Sequence, residues 1–167
     1  MTPALWLQLV VNPTLVWFDT LGVRSVTDPT HDKARVMLLA IPGQESGWRH
    51  REQVGGPAHG LYQFERGGGV RGVLTHRLSA PIARDVCNAL LVYPSDTPVY
   101  DALVNNDALA CAFARLLLWT DPRALPDIGD QDGAWALYNR TWRPGKPHPE
   151  RWGANYSAAV SIVQRRV

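Results

Sequence analysis

Lys33-Ala34-Arg35-Val36-Met37-Leu38-Leu39-Ala40-Ile41-Pro42-Gly43-Gln44-Glu45-Ser46-Gly47 is the stretch on which the fold turns. From 34 to 41 it is apolar on nearly every side, the composition of a helix enclosed by protein. Asp28-Pro29 ahead of it reads as a cap followed by a first-turn proline. Pro42 lacks a backbone N–H and its ring crowds the carbonyl four residues earlier, so a kink is expected just before Glu45. Glu45 then stands at the edge of the core, where desolvation raises a carboxyl pKa toward that of a useful general acid. The other glutamates, Glu52, Glu65 and Glu150, lie among polar neighbours.

Outward from this stretch the pattern is mostly helical. Residues 3 to 10 and 14 to 21 read as two short apolar helices separated by Asn12-Pro13, with Thr14 as a cap and Gly22 as a stop. Helical periodicity returns over 79 to 92, 105 to 119, 131 to 141 and 154 to 165, and a segment rich in Pro, Gly and His covers 143 to 153. Eight of the 14 glycines fall between 47 and 72, which predicts a long structured loop or short hairpin; long loops in compact domains usually carry function.

Composition narrows the class. With 167 residues, 46% of them hydrophobic, the chain has material for one domain, residues 1–167, with a real core. A formal net charge of +2 and 19% charged residues fit neither a disordered acidic tail nor a basic nucleic-acid wrapper, and no nucleic-acid partner is expected. The apolar opening, MTPALWLQLVVNPTLVWF, has no Lys or Arg before Arg24 and is interrupted by Gln8, Asn12 and Pro13. It suits neither a secretory leader nor a membrane span. Cys87 and Cys111 permit at most one disulfide and read as two buried thiols; no spacing suggests a metal site or a cofactor.

Three short motifs follow one another: Glu45-Ser46 at the helix end, Gly60-Leu61-Tyr62-Gln63 fifteen residues on, and Ala136-Leu137-Tyr138-Asn139 later. In this order they resemble the goose-type lysozyme and lytic transglycosylase superfamily. The resemblance covers about residues 33 to 142. It implies a mostly α, lysozyme-like single domain whose glycine-rich loop or short β-hairpin flanks a catalytic cleft. It also implies that Glu45 protonates the glycosidic oxygen between N-acetylmuramic acid and N-acetylglucosamine, with Ser46 bonding near it. Gln63 would contact the sugar or steady the acid, Tyr138 would hydrogen-bond the Glu45 carboxyl, and Asn139 would hold the local turn or the substrate. Three features depart from the family pattern: Pro42 stands just before the acid, Tyr62 stands where Met or Trp is common, and Asn139 is followed by Arg140-Thr141-Trp142 in place of the expected Gly.

Trp48, Tyr62, Trp142, Trp152 and Tyr156 flank these motifs; flat rings in a groove bury the apolar faces of pyranose units, while at least two or three of the five are expected to be hydrophobic pins for the loop. The carboxylate count bears on the reaction. Glycosidases that pair an acid with a second carboxylate have no counterpart nine residues past Glu45, where Val54 stands. A single-carboxylate route that closes a 1,6-anhydro ring is therefore the first expectation. Hydrolysis stays open if Glu52, Glu65, Asp96, Asp101 or Asp107 folds near Glu45. A non-catalytic lysozyme-like domain that binds glycan, or serves as a phage structural piece, is the alternative from another class. The expected partner is the peptidoglycan strand, reached by a phage lysin or virion component made in the host cytoplasm.

Overall fold

The computed structural model describes residues 1–23, 28 and 30–165. Its first helical run does not break at Pro13 as expected. Thr2 caps α1 (Pro3–Trp6) by accepting the Leu5 N–H, a π-helical turn spans Leu7–Val11, and α2 (Asn12–Thr20) continues in the same right-handed conformation. The turn widens so that the Asn12 N–H reaches the Leu7 carbonyl five residues back, which makes room for a ring that would otherwise collide with the helix. Thr14 is thus buried inside a helix and caps nothing. Gly22 does stop it: at φ +75° it lets the Val23 N–H fold back to the Phe18 carbonyl at 3.0 Å.

Asp28 caps the enclosed helix α3 (Asp32–Glu45) from a distance, its carboxylate accepting the N–H groups of Lys33 and Ala34 at 3.2 and 3.0 Å. Pro29 lies outside the described residues. Helix α3 carries through Pro42 to Glu45. The gap that the proline leaves in the hydrogen-bond ladder is at the Leu38 carbonyl, which accepts the Tyr62 hydroxyl at 3.0 Å.

The glycine-rich stretch forms a minimal antiparallel hairpin, β1 (Ala58–His59) with β2 (Phe64–Glu65), in the register Ala58 to Glu65 and His59 to Phe64. Where more loop was expected, a second π-helical turn (Arg66–Val70) leads into α4 (Arg71–Thr75). Gly69 makes that turn possible: a Cβ there would stand 2.5 Å from Phe64 Cδ1. Helix α5 (Ser79–Ala89) stops earlier than the periodicity suggests, because Leu91 turns left-handed at φ +55° and the Val92 N–H returns to Cys87. The short α6 (Asp96–Ala102) has too little periodicity to have been recognised. Helices α7 (Asp107–Trp119) and α8 (Gln131–Trp142) match expectation within two residues and are capped by Asn106 and Asp130. Helix α9 (Pro149–Gln164) starts five residues early, with Pro149 in the first turn, where a missing N–H does no harm.

Among the described residues the architecture is mostly helical with one two-stranded sheet. Its buried apolar side chains form one core around α3 and α7, and every residue from Leu109 to Leu118 on α7 is enclosed. One of these is Arg115; burial pulls its pKa down, and the charge of Asp28 opposes the shift. Cys87 and Cys111 are separate buried thiols, as expected. No helix among the described residues is long and apolar enough to cross a membrane.

Helix α9 packs against α3 across Gly43, where a Cβ would lie 2.7 Å from Asn155 Oδ1. Asn155 cannot easily yield, since its amide donates to the buried Gln44 at 3.1 Å. Gly43→Val is therefore expected to destabilise the fold by about 1–3 kcal/mol through overpacking, read as a lower urea midpoint with an unchanged slope.

Candidate active site

Glu45 is the last residue of α3, and the turn that follows fixes its carboxyl at the helix end. The Ser46 N–H and hydroxyl both donate to the Pro42 carbonyl at 3.0 Å. Gly47 and Trp48 then take left-handed φ values of 58° and 62°, which turns the chain away. Ser46 thus ends the helix and makes no hydrogen bond to the acid.

Across the gap stands α8, whose Tyr138 hydroxyl donates to Glu45 Oε1 at 2.6 Å. Burial pushes the Glu45 pKa up to about 7; the Tyr138 bond holds it down and the charge of Glu65 pushes it further up. Tyr138 is itself 2% exposed, and burial beside Glu45 drives its phenol far above the usual range, so it remains a donor. A ring stack keeps it there. Trp135, Trp142 and Trp152 all pack on Tyr138, the closest centroid being that of Trp152 at 5.2 Å and 18°.

Glu45 and Tyr138 open into a groove of about 1420 Å³. One wall comes from the hairpin, the turn after it and the start of α4, with Gln63, Glu65 and Arg71; the other comes from Asn139, Trp142, the following loop and the first turn of α9, with Arg143, Lys146 and Arg151. Arg71 is tied to Asp96 at 2.6 Å, and Arg140 in the same groove is tied to Asp121 at 2.8 Å. Among the described residues no group of three or more His, Cys, Asp or Glu side chains is placed to hold a metal ion.

Glu45, Gln63, Tyr138, Asn139 and Trp142 thus meet in one groove, as the three motifs lead one to expect. Their bonds are more structural than expected. The Gln63 amide donates to the Gly60 carbonyl at 2.8 Å and holds the hairpin turn; Asn139 donates to Trp135 at 2.8 Å; Trp142 donates its ring N–H to the Tyr62 carbonyl at 2.9 Å.

No protein-family model matches the chain, and no curated protein and no solved structure matches it significantly.

Several sugar-stacking expectations are corrected. Trp48 lies outside the groove, edge-on to Trp6 at 5.9 Å and 73°. Tyr62 is fully enclosed, while Trp152 and Tyr156 are buried with their polar atoms bonded to Gln131, Gly129 and Asp127. These rings lost their chance at a ligand because the core claimed them first, which leaves Trp142 as the one of the five that lines the groove.

The carboxylates that sequence distance left open are also sorted. Arg51 grips Asp107 with two nitrogens, one at 2.9 Å; Asp96 is held by Arg71; Glu52 faces His59 from the surface at 4.0 Å; Asp101 does not line the groove. Glu65 alone of the five shares the groove with Glu45.

Two contributions were missed. Gln44 is buried and donates to the His148 carbonyl at 2.9 Å, which ties the 143 to 153 segment to the acid's own helix. A neutral-to-basic groove is compatible with the composition, but Arg143, Lys146 and Arg151 do not stand out as its rim in sequence, although the spacing of cations around the prolines is their signal.

The raised pKa has a consequence for stability. A glutamate that titrates near 4.5 when unfolded and near 7 when folded keeps a proton in the folded chain that the unfolded chain releases. Stability from this group is full below about pH 4.5 and is lost as pH rises through about 7. Glu45→Gln removes that loss while leaving Tyr138 an acceptor. The variant should exceed the parent by about 3 kcal/mol near pH 8 and match it near pH 4, as measured by urea denaturation at both values.

Proposed function

We propose that the chain cleaves the β-1,4 linkage between N-acetylmuramic acid and N-acetylglucosamine in peptidoglycan, with Glu45 as acid and then base. The observation that carries this reading is a glutamate with a pKa of about 7, held by a tyrosine at the mouth of a groove larger than the roughly 300–1,000 Å³ of small-molecule sites. Such an acid keeps much of its proton at neutral pH, and its conjugate base is strong enough to take a proton back.

Protonated Glu45 gives its proton to the glycosidic oxygen as the bond from that oxygen to C1 breaks. The acetamido oxygen of muramic acid stabilises the cationic C1. Glu45, now a carboxylate, removes the proton of the C6 hydroxyl, whose oxygen bonds to C1 and closes the 1,6-anhydro ring. The nucleophile is tethered to the reacting sugar, and such tethering gives it a high effective concentration. Tyr138 steadies the carboxylate between the two proton transfers. The groove-facing rim of Arg143, Lys146 and Arg151 suits the lactyl and peptide carboxylates of the strand.

A hydrolytic outcome has one observation in its favour: Glu65 lines the same groove and its charge reaches Glu45. In that route Glu65 would activate water or act as nucleophile. Two contacts support a catalytic reading over the non-catalytic alternative: the Tyr62 hydroxyl on the carbonyl that Pro42 leaves open, and the Tyr138 hydroxyl on Glu45.

Incubation with purified peptidoglycan and mass spectrometry of the released muropeptides tests the reading. Anhydro products, lighter by one water than those of hydrolysis, are expected, and Glu45→Gln should lower the rate by about 10²- to 10⁴-fold. Glu65→Gln should leave the anhydro products unchanged. Reducing-end products that vanish with Glu65→Gln would establish hydrolysis, and an inert parent protein would overturn the proposal.

A further inference from the structure

Tyr62 has no place in the chemistry just described, yet it is fully buried and bonded at both ends. Its hydroxyl donates to the Leu38 carbonyl of α3 at 3.0 Å, two helical turns before Glu45. The Trp6 ring N–H donates to the same hydroxyl at 3.3 Å, which orients the phenol proton toward Leu38. At the other end, the Tyr62 backbone carbonyl accepts the Trp142 ring N–H at 2.9 Å, one turn beyond Tyr138 on α8. Helices α3 and α8 are therefore joined twice: once at the site, by Tyr138 to Glu45, and once behind it, through Tyr62.

Pro42 is what makes the second joint available. In an uninterrupted helix the N–H of residue 42 would occupy the Leu38 carbonyl; proline has none to give. A buried carbonyl left alone is costly, so the Leu38 carbonyl requires a donor, and the Tyr62 hydroxyl, which also meets the Trp6 ring N–H and the Cys111 thiol, supplies it.

Resting on the reading above, we infer that Tyr62 is a positioning residue: docked on the carbonyl that Pro42 leaves open, it braces α3 against α8 and so fixes the separation of Glu45 and Tyr138. Loss of this brace lets the two helices part at the groove and admits water to the acid. Water entry is the larger effect, because burial is the main reason the Glu45 pKa is high.

The test compares the parent, Tyr62→Phe, and Pro42→Ala combined with Tyr62→Phe. Thermal stability, peptidoglycan kinetics and direct titration of the Glu45 carboxyl by NMR, with Glu45→Gln for assignment, are measured on each. Tyr62→Phe should lower melting temperature, reduce kcat roughly ten- to hundredfold with KM changed less than about twofold, and move the Glu45 titration down from about 7. The double variant restores an N–H to Leu38 and should recover the melting temperature. Its kcat and its Glu45 titration should stay impaired, since the link between the helices is still cut.

Recovery of all three in the double variant would overturn the inference, leaving Tyr62 as a mere partner for a stray carbonyl. So would a parent Glu45 that titrates in the ordinary carboxylate range, or a Tyr62→Phe variant whose Glu45 titrates as in the parent. The titration needs no substrate. A parent inert on peptidoglycan therefore refutes the proposed reaction while the NMR comparison still decides the brace.

Discussion

A carboxyl group at the rim of an apolar core can keep a stable position only if a donor reaches it, and here the donor is the Tyr138 hydroxyl at 2.6 Å from Glu45. The rest of the architecture serves that contact. Helix α3 must be enclosed so that its last residue loses water; α8 must lie close enough for a phenol to span the gap; and the rings of Trp135, Trp142 and Trp152 must hold Tyr138 in one rotamer. Only one of the two partners can be charged near neutrality. Glu45 changes state near pH 7 while Tyr138, its phenol pushed far upward, always donates.

The groove in front of this pair is an asymmetric construction. Its hairpin wall is short and glycine-rich because backbone has to pass close to side chains: Gly60 lies against the Leu103 carbonyl, and Gly69 against the Phe64 ring. The opposite wall is cationic and is hung from Gln44, one residue before the acid, through the His148 carbonyl. Between the walls lie a half-protonated acid in the centre, Glu65 on the hairpin side and positive charge at the opposite edge.

Most of the helices were legible because periodicity is a local property: α7 and α8 fall within two residues of expectation. The misses were also local in origin. Pro13 reads as a break in any short window, and nothing nearby announces the π-helical turn that absorbs it. The early start of α9 was hidden by Pro149, which is a breaker inside a helix but a good first residue. At the site, Glu45 and Tyr138 were legible as members of ordered motifs. The aromatic roles were not, since ring faces look alike in sequence whether they meet a core or a groove. Tyr62 is the sharpest case: its burial depends on Leu38, Trp6 and Trp142, which lie 24, 56 and 80 positions away.

The pairing of α3 with α9 also bears on how the chain comes to be folded. Gln44 and Asn155, bonded across that interface, are 111 positions apart. Of the elements described, the helix that covers α3 is the last to leave the ribosome, so the face of α3 around Gly43 and Gln44 waits uncovered while the rest is synthesised. Closing so large a loop late makes for a slow, non-local step, and a nascent chain with such a face exposed is prone to stick to its neighbours. The geometry that desolvates Glu45 is thus completed only when nearly all of the described chain has been made, and until then the carboxyl is an ordinary solvated one.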